Sequence, residues 1–165
     1  FRDAMVLPVW EGPEQIQALE LMRMIAGDEP GDRLFLEKIA SVRDTLPAAM
    51  NGENINLSAL AGTMEDSFKK LRAEPQKAEL VADEFLRIMS DVLTYILLCD
   101  EAAWEYANKN DGTKLLVCRA YHVRVWPGEF AAPAFSPGAL LRHFNHIVQA
   151  EPIPPAQGNN QEPHP

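Results

Sequence analysis

The sequence has little cysteine, a shortage of cationic residues and no long apolar run. Only two cysteines, Cys99 and Cys118, occur in 165 residues, and both lie in apolar helical surroundings. Neither a disulfide framework nor a cysteine-based metal site is expected from so few thiols. Both cysteines are therefore predicted to be buried and reduced.

The charge balance is strongly acidic. Fifteen Lys and Arg residues stand against 24 Asp and Glu residues, which gives a net charge of −9. A nucleic-acid surface needs a basic stripe and an anionic membrane attracts clustered cations, so neither partner is expected. The densest cationic cluster, Lys69-Lys70 with Arg72, is interpreted as a solvated helix face. The longest apolar run, residues 92–99, is too short to cross a bilayer, and a cytoplasmic protein is predicted.

Several signatures of catalysis or ligand binding are missing. The sequence contains no His-Glu-x-x-His, no phosphate loop, no Gly-x-Gly-x-x-Gly and no Glu-x-x-His of a diiron bundle. His143 and His146 are three residues apart, but no third ligand follows nearby, so no metal site is predicted. Asn56-Leu57-Ser58 matches a glycosylation acceptor, although nothing else indicates secretion.

Helical periodicity runs along most of the chain, and no segment shows the strict alternation of a strand. Helices are predicted over about 13–26, 32–46, 57–73, 76–108, 113–126 and 137–149, with a loop at 48–54. The fourth helix carries one apolar seam through Val81, Phe85, Ile88, Val92, Ile96, Cys99 and Ala103. A second seam beside it runs through Leu86, Met89, Leu93 and Leu97. Two seams indicate at least two neighbouring helices.

The fifth predicted helix is the one locally basic helix. Its inward face is expected to be formed by Leu116, Ala120 and Val123. The basic residues are expected on a solvated or salt-bridged face against the acidic fourth helix; they are Lys114, Arg119, His122 and Arg124.

These elements predict an all-α fold. We expect an up-and-down bundle of about four long helices, with a peripheral N-terminal helix and a short C-terminal helix. Residues 32–150 are assigned to the bundle and residues 1–27 to a separate terminal segment. Residues 151–165 are rich in proline, which is typical of a polyproline-like or disordered tail. This tail is expected to dock on the bundle or on a partner subunit.

A turn near the N-terminus carries the one candidate catalytic group. Glu11 precedes Gly12 and Pro13, and proline suits the first position of a helix because its missing N–H would be unsatisfied there. Glu11 is therefore predicted to lie on irregular backbone just before a helix begins. From the residues alone, a surface acid at a helix start is the plainer interpretation.

This region resembles the last part of an acyl-CoA dehydrogenase. The resemblance rests on Arg2-Asp3-Ala4, Val9-Trp10-Glu11-Gly12 and Gln15-Ile16-Gln17, and it covers residues 1–27. It implies that Glu11 is the catalytic base, and that Gly12 and Gln15 belong to the FAD site. An arginine of the family maps to Arg23. The family usually has threonine where this chain has Pro13, which provides neither a hydroxyl nor an N–H.

The resemblance also implies a reaction and partners. The base of such an enzyme removes a proton alpha to the carbonyl of an acyl-CoA thioester, while FAD accepts a hydride from the beta carbon. An electron-transfer acceptor then reoxidises the flavin. The family's preceding domains carry most flavin and substrate contacts, so the resemblance implies a C-terminal portion that is inactive by itself. Its helical extension would contribute to a homodimer. The alternative is a non-catalytic helical oligomerisation or interaction domain.

Overall fold

A computed structural model describes residues 14–27, 31–127, 137–149 and 151–154. All regular structure within these residues is helical, which confirms the predicted all-α bundle. The α-helices are α1 Glu14–Ala26, α2 Gly31–Thr45, α3 Asn51–Ala73, α4 Pro75–Lys109, α5 Thr113–Val125, α6 Pro137–Arg142 and α7 Phe144–Gln149, and a 3-10 turn spans Ala48–Met50.

Two predicted boundaries are wrong. The loop expected at 48–54 is instead the 3-10 turn followed directly by the start of α3. Met50 and Glu53 are fully buried there, so contacts with other helices fix residues whose sequence suggests a loop. The single helix expected at 137–149 is two short helices, α6 and α7, which are separated at His143.

The ends of α4 follow from local residue preferences. Pro75 occupies the first turn of α4, where the missing N–H costs no helical hydrogen bond. Asn110 ends the helix in the left-handed conformation, with a φ of 52°, which asparagine tolerates better than most residues. Asp111 then accepts a hydrogen bond from the Thr113 N–H at 2.9 Å and so starts α5.

Successive helices from α2 to α5 run back along one another. Phe68 of α3 packs edge-on against Phe35 of α2 and Phe85 of α4, with ring centroids 6.2 and 5.6 Å apart. At the other end of α3, the Asn56 Nδ2 lies 3.4 Å from the Tyr95 hydroxyl of α4. The C-terminal half of α3 thus meets the N-terminal half of α4, as an antiparallel hairpin requires.

Helix α1 belongs to the same core. Ala18, Met22 and Ile25 are spaced by four and three residues and are at most 7% exposed. The Arg72 Nε of α3 donates to the Ile25 carbonyl at 3.0 Å, and the same guanidinium forms an ion pair with Asp32 of α2. These contacts anchor the C-terminal turn of α1 to two other helices.

The tail contacts the bundle at Ile153. The Gly112 N–H donates to the Ile153 carbonyl at 2.7 Å, and the Ile153 N–H donates to the Asp111 Oδ1 at 3.0 Å. The Ile153 side chain is fully buried with Leu116, beside Ile147. The expected docking on the bundle is therefore seen for residues 151–154, and the rest of the proline-rich tail lies outside the described residues.

The two predicted seams of α4 differ in exposure. The second half of the first seam lies in the core, where Val92, Ile96 and Cys99 are at most 1% exposed. In the second seam, Leu93 and Leu97 are 40% and 47% exposed, and Trp104 extends the same face at 57%. No helix within the described ranges is both long and apolar enough to span a membrane.

Candidate functional site

The core of the bundle contains a group of buried polar side chains where α3, α4 and α5 meet. We call Glu53, Asn56, Tyr95, Arg119 and His122 the polar cluster. All of its members are at most 6% exposed. Acids and arginines are rarely buried to this degree without compensating contacts.

An ion pair links two helices within the polar cluster. The Arg119 Nε of α5 lies 2.8 Å from the Glu53 Oε1 of α3, and its Nη2 lies 3.5 Å from the other carboxylate oxygen. Burying either charge alone is expensive, whereas a forked contact compensates both charges at once. The pair therefore fixes the position of α5 against the start of α3.

Three aromatic side chains from α4 and the end of α5 pack together in the same region. The Tyr95 ring centroid lies 5.3 Å from that of His122 and 5.7 Å from that of Trp126. Burial raises the pKa of Tyr95, with neighbouring Cys99 and Cys118 adding to the rise, so the phenol stays protonated. Burial lowers the pKa of His122, which the Glu53 carboxylate partly opposes. His122 is consequently neutral at neutral pH.

Two thiols lie beside the polar cluster. Cys99 and Cys118 are fully buried and reduced, as predicted, and their Sγ atoms are 3.3 Å apart. The hydrogen bond with Cys99 and burial both raise the pKa of the Cys118 thiol, and the nearby Arg119 guanidinium offsets only part of this rise. A protonated thiol is a poor nucleophile, so this geometry does not suit cysteine-based catalysis.

The polar groups of this region face one another rather than a solvent-filled cleft. Their contacts join three helices, and their low exposure restricts access by a substrate. A surface groove of about 250 Å³ lies elsewhere, between α1 and the α3–α4 junction, and is lined by Leu19, Met22, Ile25 and Leu71 among others. The polar cluster is thus suited to fixing the register of α3, α4 and α5.

The predicted catalytic site falls mostly outside the described residues. Glu11 and Gly12 precede the described residues. Gln15 lies in the first turn of α1, where the structure describes its backbone only. Arg23 is exposed on α1 and forms an ion pair with Glu20 one turn away. The family-derived roles of these residues therefore remain predictions.

The two histidines considered as metal ligands lie near each other. The ring centroids of His143 and His146 are 6.0 Å apart, and the His146 Nδ1 lies 3.3 Å from a Glu151 carboxylate oxygen. The described part of the chain holds no group of three or more His, Cys, Asp or Glu side chains placed to bind a metal.

Other sequence features have structural explanations. Lys69 is 63% exposed and pairs with Glu65 on the same helix, in agreement with a solvated face, whereas Arg72 ties α3 to α1 and α2. Lys114 of α5 pairs with Glu101 of α4 at 2.8 Å, which is the salt-bridged arrangement expected there. Asn56 is fully buried and is not available as a glycosylation acceptor in the folded chain.

The sequence interpretation missed the polar cluster. Leu116 is buried as predicted, but Ala120 and Val123 are only half-buried. Arg119 and His122, which were expected outside, are buried instead. The reason is Glu53, which provides the opposite charge and was assigned to a loop. A signal was present, because Glu53, Asn56, Leu57 and Leu60 repeat at helical spacing on the face that also carries Met64.

Comparisons with known proteins found no relative of this chain. No protein-family model matches the chain, and neither a curated protein nor a solved structure matches it.

Proposed function

We propose that the chain is the C-terminal portion of a flavin-dependent acyl-CoA dehydrogenase in fatty acid metabolism, extended by the helical bundle. The observation that carries this proposal is the continuous spacing of Arg2-Asp3-Ala4, Trp10-Glu11-Gly12 and Gln15-Ile16-Gln17. The proposed reaction is alpha,beta-dehydrogenation of an acyl-CoA thioester, and the chain alone is not expected to perform it.

The anchoring of α1 supports this proposal. Helix α1 begins at Glu14, only three residues after Glu11, and its buried face is part of the bundle core. Arg72 of α3 holds the far end of α1 through the Ile25 carbonyl. A helix held in the core fixes where the segment before it ends, and a catalytic base needs such positioning relative to its substrate.

Each residue has a defined role in the proposed reaction. The Glu11 carboxylate takes the proton alpha to the thioester carbonyl, a role that contributes roughly 10²–10⁴-fold to a rate. Gly12 allows a close approach of the cofactor to the backbone, and Gln15 provides an amide that can hydrogen-bond to it. FAD would supply the acceptor for the hydride from the beta carbon. An electron-transfer acceptor would then take the electrons from the flavin.

The experiment uses the product of the complete gene. The purified protein is expected to contain flavin and to lose its oxidised flavin absorbance when an acyl-CoA is added without oxygen. The 165-residue chain expressed alone is the control and is expected to bind no flavin. A complete gene product that binds no flavin, or whose flavin no acyl-CoA reduces, would contradict the proposal.

A second candidate function is self-association, and a separate observation favours it. Leu93, Leu97 and Trp104 lie on one face of α4 and are 40–57% exposed. An exposed apolar stripe on one helix can pack against its copy across a twofold axis. We infer that this stripe forms the interface of a homodimer.

One substitution and a matched control test the dimer. Leu97→Glu places a charge within the stripe and is expected to convert a dimer into a monomer when the particle mass is measured in solution. Leu80→Glu makes the same change on the same helix, about 100° around its axis, at a side chain that is 85% exposed. It is expected to leave the mass unchanged. A monomeric wild-type protein, or equal effects of both substitutions, would overturn the interface.

A further inference from the structure

Two cysteines from different helices meet in the core without being bonded. Cys99 is on α4 and Cys118 is on α5, and their Sγ atoms are 3.3 Å apart. A disulfide bond is about 2.05 Å long, so the sulfurs need to approach by only about 1.3 Å. Rotation of the two side chains about their Cα–Cβ bonds can provide part of this approach.

The two helices hold the thiols in register from both sides. The Lys114 Nζ lies 2.8 Å from the Glu101 carboxylate on one side of the pair, and the Tyr121 hydroxyl donates to the Asp91 Oδ1 at 2.9 Å on the other. The sequence positions of these three pairs fit one antiparallel packing of α4 and α5. The thiols are therefore opposed by the fold itself and not by a chance side-chain orientation.

We propose that Cys99 and Cys118 are a site of reversible oxidation, at which an intramolecular disulfide links α4 to α5. The oxidant is a small-molecule disulfide of the glutathione class. One protein thiolate attacks this disulfide, which forms a mixed disulfide and releases one glutathione thiolate. The second protein thiolate then attacks the protein sulfur of the mixed disulfide and releases the other. The two protons lost by the cysteines leave two glutathione thiols.

Burial determines how this site reacts. Both thiols are fully buried, and burial together with the hydrogen bond to Cys99 keeps Cys118 protonated. Exchange must therefore wait until α5 opens away from α4. The rate of oxidation is expected to follow this opening, whereas the bond that results is protected once the helix closes. This inference does not depend on the proposed dehydrogenase activity.

The test exposes the full chain to excess oxidised glutathione over a series of sub-denaturing urea concentrations. The intact mass is expected to fall by two hydrogen atoms, faster at higher urea, and a phosphine reductant should reverse the change. A disulfide that closes the loop between residues 99 and 118 should raise the midpoint of thermal unfolding by roughly 6–12 °C. Cys99→Ala and Cys118→Ala are the controls, and neither is expected to show that mass loss or that rise.

Three results would overturn the proposal, and none of them depends on the folding of a variant. In the first, both thiols of the wild-type chain are still alkylated when the oxidised sample is afterwards unfolded, at every urea concentration. In the second, the chain accumulates only a mixed disulfide with glutathione. In the third, the disulfide joins two chains, which would show that the opposed thiols do not react with each other.

Discussion

The two halves of the bundle core are stabilised in different ways. Near the α3–α4 junction, Phe35, Phe68 and Phe85 pack edge to face within the hydrophobic core. Near the start of α3, the ion pair of Glu53 and Arg119 takes the same central position. One helix hairpin therefore has an aromatic core at one end and an ionic core at the other.

The two ends of the core contribute different properties, which are stability at the aromatic end and specificity of packing at the ionic end. Apolar burial stabilises a fold roughly in proportion to area and accepts several arrangements of similar volume. A buried ion pair adds little net stability, because desolvation offsets the attraction, but it penalises every arrangement that separates the charges. We infer that the aromatic end contributes to the free energy of unfolding, whereas the ionic end fixes which residues of α5 face α3.

The largest effect is expected in the aromatic half. Phe68→Ala removes a fully packed ring and two edge contacts, and it should lower the free energy of unfolding by about 4–5 kcal/mol. Urea denaturation measures this change. Leu80→Ala, at a side chain that is 85% exposed, should stay within about 0.5 kcal/mol. Equal effects of the two substitutions would contradict the assigned core.

The ionic half should respond differently to single and paired substitutions. Arg119→Met leaves Glu53 buried without its partner and should cost about 3–5 kcal/mol, whereas Glu53→Leu with Arg119→Met should recover most of this loss. Arg87→Met breaks an exposed ion pair with Asp83 and should cost at most about 1 kcal/mol. A double variant no more stable than Arg119→Met would refute the proposed balance between desolvation and pairing.

In the ionic half, the free energy of unfolding should also depend on pH, and this effect is expected to be smaller. Burial lowers the pKa of His122 in the folded chain, whereas the unfolded value is near 6.5. As the pH falls below about 6.5, the unfolded chain binds more protons than the folded chain, so stability falls. The free energy of unfolding, measured between about pH 7.5 and 5.5, should fall less in His122→Phe than in the wild type. Parallel pH profiles would contradict a neutral buried histidine.

The smallest effect is expected where the tail meets the bundle. Asp111→Ala removes the acceptor for Thr113 and Ile153 and should cost about 1–2 kcal/mol. Burial alone would raise the pKa of Asp111, but these hydrogen bonds outweigh it and lower the pKa below its ordinary 3.8. The contribution is therefore present above about pH 4 and lost as the pH falls through the folded-state pKa. A cost that persists in acid would argue against a charged Asp111.

The sequence predicted the helices well where apolar spacing was regular. The predicted end of α3 and both ends of α4 agree with the structure to within a residue or two, because proline and asparagine mark those ends. Residues 51–54 were assigned to a loop because their polar composition conceals a buried face. Pairing between Glu53 and Arg119 joins residues 66 positions apart. No local pattern identifies such a partner, since an isolated charge is usually exposed.

The candidate catalytic site and the polar cluster were identified in opposite ways. Glu11 was found through a motif and lies outside the described residues, whereas the polar cluster was found only through its burial. Helix α1 links the motif to the bundle core, since Glu11 precedes this helix in the sequence and the buried face of the helix lies in the aromatic half. The proposed function depends on the motif, whereas the packing of α3, α4 and α5 depends on the polar cluster.

The most direct test of the proposed function is the rate at which an acyl-CoA reduces the flavin of the complete gene product. Glu11→Gln should slow this step by roughly 10²–10⁴-fold with flavin still bound, as expected when a general base is removed. Glu14→Gln, which changes a carboxylate three residues further along the chain, should leave the rate within a small factor of the wild-type rate. Flavin reduction by Glu11→Gln at the wild-type rate would contradict the role assigned to this residue.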